Sequence, residues 1–213
     1  TPAFRAVSPP EGFTFSAVIT ITQDPLGMIW FGTQHGLYSY DTRNFTKYSF
    51  SNDNPATIMG NNIRNLYCDS SGKMWVSTNA GLCYYDFQQE RFFRIYYTDN
   101  DGNRINRNTY RVLEDEANQL WVIDNRGLAQ MDTVNKTLDY KEFDIPVSGL
   151  NYGRIAKDGT MWLGSTNGSV YVSHFPFDEL TLFGRFRQAA VQCILPADEQ
   201  VWIAYDWNGV VKT

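Results

Sequence analysis

An all-β fold made of four-stranded units repeated along the chain is predicted by three observations. Five of the six tryptophans, Trp30, Trp75, Trp121, Trp162 and Trp202, are spaced by 45, 46, 41 and 40 residues. A common phrase surrounds each of them. Between the phrases run short β-branched and aromatic segments, and no stretch carries a convincing helical period.

The phrase is fullest in its first copy. There Asp24-Pro25-Leu26-Gly27-Met28-Ile29-Trp30-Phe31-Gly32-Thr33 leads into Gln34-His35-Gly36-Leu37. The second copy runs from Asp69 through Gly72, Trp75 and Thr78 to Gly81-Leu82, and the third from Asp115 through Asn118 and Trp121 to Gly127-Leu128. The fourth reads as a shortened turn, Asp158-Gly159 before Met161-Trp162, and the fifth as Asp198-Glu199-Gln200 before Val201-Trp202. Asp followed by Gly or Asn makes a tight turn, because Asp bonds local amides and Gly or Asn tolerates positive φ. The apolar-Trp-apolar core of the phrase reads as a buried strand. A second turn follows at Thr-x-x-Gly, then a third strand such as Leu37-Tyr38-Ser39-Tyr40. A fourth follows, such as Phe45-Thr46-Lys47-Tyr48. Ahead of each aspartate lies an apolar-spaced first strand, near residues 18–21, 63–66, 109–113, 150–155 and 191–194.

Four antiparallel strands per unit of roughly 43 residues define the blade of a β-propeller. One domain, 1–213, is expected, with blades near 15–52, 60–98, 107–144, 149–175 and 188–213. Residues 3–8 would be a closing strand or belong to a preceding blade. A blade cannot bury both faces alone, so the tryptophans are expected to pack between neighbours. The last copy holds an incipient third strand and no fourth.

The phrase Asp-x-x-Gly-x-apolar-Trp-apolar-Gly-Thr-x-x-Gly-Leu resembles the two-component regulator propeller repeat, most closely at residues 24–37 and 69–82. The segment from Phe4-Arg5-Ala6-Val7 to Glu11-Gly12-Phe13 is similar to the mature N-terminus of such receptors. The resemblance implies the extracytoplasmic sensor half of a membrane-bound, often hybrid, histidine kinase on the periplasmic side of the bacterial inner membrane. It also implies a glycan-derived oligosaccharide as ligand and a receptor homodimer. Propellers of this family usually have seven blades. Five are legible here, so either this is a fragment of a seven-bladed ring or five blades close directly through the N-terminal strand; the first is the expectation.

Composition removes other classes. Eighteen Lys plus Arg against 23 Asp plus Glu leave a net charge of -5, which lacks the basic footprint of a nucleic-acid binder. No apolar run is long enough to span a bilayer, and no polybasic stretch favours anionic lipid. Three cysteines cannot all pair. Cys68 and Cys83 fall on strands separated by a third, too far apart for a disulfide. Free, mostly buried thiols are expected. Glycine-rich phosphate loops, nucleophile elbows and Cys-x-x-Cys pairs are missing from the sequence, and its two histidines lie in different repeats. Neither a catalytic residue nor a metal or other cofactor is therefore expected. The alternatives are a propeller enzyme, either a lyase or a glycosidase, and a protein-interaction scaffold.

A ligand is expected where the loops enter the first strands, beside the turns between second and third strands. Those turns carry Gln34-His35, Asn79-Ala80, Asn125-Arg126, Asn167 and Trp207-Asn208. Trp207 lies off the repeat register and suits stacking against a sugar ring; the other reading is that it covers exposed core in the fifth blade. Arg64, Arg111 and Arg154 fall on or near first strands and would form a cationic rim suited to carboxylate, sulfate or uronate. Each could instead pair with an acid of a neighbouring blade. Arg126, Asn208 and His35 complete the candidate set, His35 also reading as an ordinary turn residue.

Overall fold

The computed structural model describes residues 17–98, 104–197 and 200–213. All regular structure among them is β. Blade one holds β1 (Val18–Gln23), β2 (Ile29–Thr33), β3 (Gly36–Tyr40) and β4 (Phe45–Tyr48). Blade two holds β5 (Ile63–Cys68), β6 (Met74–Thr78), β7 (Gly81–Asp86) and β8 (Arg91–Ile95). A small β9 (Tyr97–Thr98) and β10 (Arg104–Ile105) pair beyond it. Blade three contains β11 (Thr109–Glu114), β12 (Leu120–Asp124), β13 (Leu128–Asp132) and β14 (Thr137–Tyr140). Blade four contains β15 (Leu150–Ile155), β16 (Met161–Ser165), β17 (Ser169–Ser173) and β18 (Thr181–Arg185). Blade five shows three strands, β19 (Val191–Ala197), β20 (Gln200–Tyr205) and β21 (Gly209–Lys212). Within each blade consecutive strands pair antiparallel in simple order, as in a five-bladed β-propeller.

The first strands pack against each other in sequence, β1 on β5, β5 on β11, β11 on β15 and β15 on β19, and so line the axis. The core falls into four clusters, one per junction between blades. Trp30 packs with Ile63, Met74 and Val76, and Trp75 with Val112, Leu120 and Val122. Trp121 packs with Leu150, Met161 and Leu163, and Trp162 with Val191, Ile194 and Ile203. Each indole thus faces the next blade along the chain. Full burial of such a side chain contributes about 2 kcal/mol or more. Trp202, in blade five, is 41% exposed, as are apolar residues on the far flank of blade one, with Ile21 at 61%. Blades approach closely enough to need glycine: a Cβ on Gly164 would come within 2.6 Å of the Val191 side chain.

In blades one to three the turn aspartate does more than cap. Asp24 Oδ2 accepts the Trp30 indole N–H at 2.7 Å while its Oδ1 accepts the amides of Leu26 and Met28. Asp69 accepts from Trp75 at 2.6 Å and Asp115 from Trp121 at 2.9 Å. A buried carboxylate therefore ties each turn to the strand it introduces.

Blade four corrects the sequence reading twice. Its turn is not shortened: Ala156 stands where the others have Asp, and Gly159 keeps the glycine position at φ 79°. Asp158 is a different residue in register, and its carboxylate accepts the Thr160 amide. The blade also runs to Arg185 rather than ending at 175. Its outer strand, Thr181–Arg185, is largely exposed and carries Gly184, so it lacks the apolar alternation that marks a strand in sequence. The thiols are free, but Cys193 is exposed and only Cys83 of the three is buried. The predicted strand at 3–8 lies outside the described residues.

Candidate functional site

Every first strand carries a β-bulge after its opening residue, where the pairing register shifts. The extra residues are Ile19, Arg64, Tyr110, Asn151 and Gln192. A bulge re-aims the side chain it inserts. All five of these side chains converge on one cavity of about 340 Å³ at the axis, with Arg111, Tyr152, Thr166, Ala190 and Val191 completing the wall. Its outer wall is tied to the turns between second and third strands. The amides of Asn79, Asn125, Thr166 and Asp206 donate to the carbonyls of Asn62, Asn108, Gly149 and Ala190, each just ahead of its first strand. Clefts of about 400 and 430 Å³ lie at the rims of blades four and three, but each is built from a single blade. The axial mouth alone among these gathers side chains from all five.

A second cavity of about 240 Å³ lies deeper, lined by Tyr67, Glu114, Arg154 and the shared residues Arg111 and Tyr152. The three arginines therefore do not form one rim. Counting back from the blade tryptophan, Arg64 stands 11 residues away, Arg111 10 and Arg154 8, so they fall at three heights. Arg64 is exposed at the mouth, 5.6 Å above the Tyr110 ring of the next blade. Arg111 lies between the two cavities, its guanidinium 4.1 Å from the centre of the Tyr152 ring, again one blade on. Arg154 is exposed in the deeper cavity. Pairing with a neighbouring acid does not occur for any of them: among the described residues the ion pairs are Arg107–Asp124 and Lys141–Asp178. For Arg64 and Arg111 the positive charge is held on an aromatic face instead.

Burial shapes the electrostatics. It draws the Arg111 guanidinium below its ordinary value, with Arg154 adding to the effect. It also raises the Tyr152 phenol, against the pull of Arg111. The Tyr152 hydroxyl donates to the Ile194 carbonyl at 3.3 Å. Asn151 donates from Nδ2 to the Val191 carbonyl at 2.8 Å, while its Oδ1 is buried with no partner. That amide cannot be turned round, because two carbonyl oxygens would then face each other.

The remaining candidates stand outside the cavity. Arg126 lies over the Tyr140 ring at 4.3 Å, on a turn held by buried Asp124, which accepts the Tyr140 hydroxyl and the Arg126 amide. Its charge is occupied there. His35 is exposed on the first turn, its amide donating to Thr33 Oγ1. Trp207 is 98% exposed at φ 55°, which rules out the core-covering reading. Asn208 is exposed beside it. Their turn is bonded through Asp206 to Ala190, which does line the mouth. Sequence reasoning missed Tyr110, Asn151, Tyr152 and Gln192. The signal was present: four of the five bulged residues stand 11 before their tryptophan, and Gln192 stands 10 before.

Five blades and an axial mouth place the chain among β-propellers. Residues 57–80 match the family model described as "two component regulator propeller", so the repeat resembled by the sequence is present here. The extracellular domain assigned to a hybrid two component system of B. thetaiotaomicron is similar over 93% of this chain and 28% of its own, with TM-score 0.78 and 22% identity. A second extracellular domain of that organism, assigned to a one component system, matches with TM-score 0.62 and 20% identity over 92% of this chain and 35% of its own. Virginiamycin B lyase from Staphylococcus aureus is similar with TM-score 0.64 and 13% identity over 92% of this chain and 69% of its own. The chain thus spans about a third or less of the two extracellular domains it resembles. No curated protein sequence gives a match. Structural likeness at these identities shows the fold.

Proposed function

We propose that this chain is part of the extracytoplasmic, ligand-sensing region of a membrane-bound, often hybrid, two-component histidine kinase. It binds a glycan-derived oligosaccharide at the axial mouth and performs no chemistry itself. The observation that carries this reading is the convergence of one bulged side chain from every blade on a single cavity, in a chain that bears the two-component regulator repeat. Ligand binding there can alter signalling only through different affinities for two arrangements of the receptor. Two receptor chains whose association changes on binding supply such a pair of states.

Likeness to a lyase favours a second reading, an enzyme on the same fold. Against it, none of the ten described residues lining the mouth is a His, Asp or Glu, so among them the cavity offers no ordinary acid–base pair. Calorimetric titration of the 213-residue chain with oligosaccharides from different polysaccharides, followed by product analysis, separates the two. Heat of binding with the sugar recovered intact supports sensing. Recovery of cleaved product overturns it in favour of the enzyme.

A further inference from the structure

The mouth holds a cationic demand that the protein itself leaves unmet. Arg111 is largely withdrawn from water and rests on Tyr152, yet no carboxylate lies within ion-pair distance among the described residues. Stacking satisfies the face of a guanidinium and leaves the N–H donors of its edge available to a ligand. Arg64 adds a second uncompensated cation from the preceding blade, also over a tyrosine. Burying positive charge without a counter-charge is costly, and a planar oxyanion accepting two parallel N–H bonds is the group that removes the cost.

We propose that the axial mouth is a seat for a sugar acid, with Arg111 and Arg64 holding the carboxylate. The inference rests on the reading of the mouth as the ligand site and narrows it from saccharides in general to acidic ones. A cavity of about 340 Å³ has room for one or two sugar rings. A longer chain leaving the mouth meets Trp207, whose exposed indole stands on the turn bonded to Ala190 at the cavity wall. Indole faces stack on the C–H faces of sugars.

The test is titration of the 213-residue chain with glucuronate- and galacturonate-ended disaccharides, the same disaccharides reduced to the primary alcohol at the carboxyl, and sodium sulfate and acetate. At least one acid should bind at least tenfold more tightly than its reduced form, with sulfate and acetate weaker again. Arg111→Gln should remove that tenfold preference without weakening the reduced sugar. Arg64→Gln, at an exposed site where folding is not at issue, should reduce it several-fold, and Arg154→Gln should leave it unchanged. Equal binding of acid and alcohol overturns the sugar-acid inference and leaves the sensor reading standing. Sulfate or acetate binding as tightly as the sugars reduces the site to an anion seat and also overturns it. Binding of no saccharide, or binding indifferent to every mouth variant, overturns the mouth as the ligand site.

Discussion

Blades one to three and blade four use the same turn backbone with different side chains, and the difference separates what the fold requires from what it only favours. Asp24, Asp69 and Asp115 each hold a buried carboxylate against the indole N–H six residues on. Blade four makes the same two backbone bonds around its turn, Ala156 N–H to Thr160 and Gly159 N–H to Ala156, with no carboxylate at that position. Trp162 is still 92% buried without one, its edge against Phe183 at a centroid distance of 4.9 Å. The turn conformation is therefore fixed by the backbone and by a glycine, or Asn118 in blade three, at positive φ. The aspartate adds stability by satisfying an indole donor that packing takes out of water.

Removing that carboxylate is expected to give the largest effect. Asp69→Ala leaves the Trp75 N–H buried without an acceptor and frees the Lys73 amide as well, at a cost of about 3 kcal/mol. Asp158→Ala, two residues off the repeat's register in blade four, should cost far less, since that carboxylate bonds Thr160 at an exposed turn. Urea unfolding of the two variants checks the contrast; similar losses would mean that the indole bond carries no special weight. Overpacking a junction comes next. Gly164→Ala drives a methyl into Val191 across the blade four to blade five interface and should cost about 2 kcal/mol. Gly72→Ala meets no neighbour and suffers only from its φ of 82°, about 1 kcal/mol. Installing the missing latch is the converse experiment. Ala156→Asp should stabilise the protein by about 1 kcal/mol, because the backbone already holds the geometry. A neutral or destabilising result would show that Trp162 is held in a pose that cannot reach the carboxylate.

Much of the architecture was legible because a propeller repeats its constraints. Indole spacing gave the blade count, and the Asp–Gly turns gave strand order. What escaped had weak local signals. Strand Thr181–Arg185 is mostly solvated and carries a glycine, so nothing in its pattern demands a sheet. Ala156 was passed over because Asp158 offered a more obvious turn residue two positions later. The site was legible only in part. Arg64 and Arg111 reach the mouth as the cationic reading asked, but equating them with Arg154 ignored the bulge. One extra residue changes which side chain faces the axis, and a bulge leaves no mark in composition. Tyr110 and Asn151 share no chemistry with Arg64, so only their common offset from the tryptophan could have joined them to it, and Gln192 stands one residue off even that.

The cysteines extend the comparison between a packed blade and an exposed one, with the smallest expected effect on stability. Cys83 lies wholly buried in β7, and burial pushes its thiol up to about 12. Cys193 is exposed on β19, 3.6 Å from the Tyr152 hydroxyl. A thiol needs both access and a thiolate to react. At pH 8 in the native protein a maleimide should therefore modify Cys193 first and Cys68 more slowly, with Cys83 protected until unfolding. The sign of the pH effect follows from the raised value. The unfolded thiol loses its proton near 8.5 while the folded one keeps it, so the stability Cys83 contributes is full below about pH 8 and is lost as pH rises toward 12. Replacing Cys83 by Ala should flatten that alkaline decline while costing about 1 kcal/mol at neutral pH from the cavity it leaves. If Cys83 reacts as fast as Cys193 in the folded chain, the second blade opens far more readily than its packing allows.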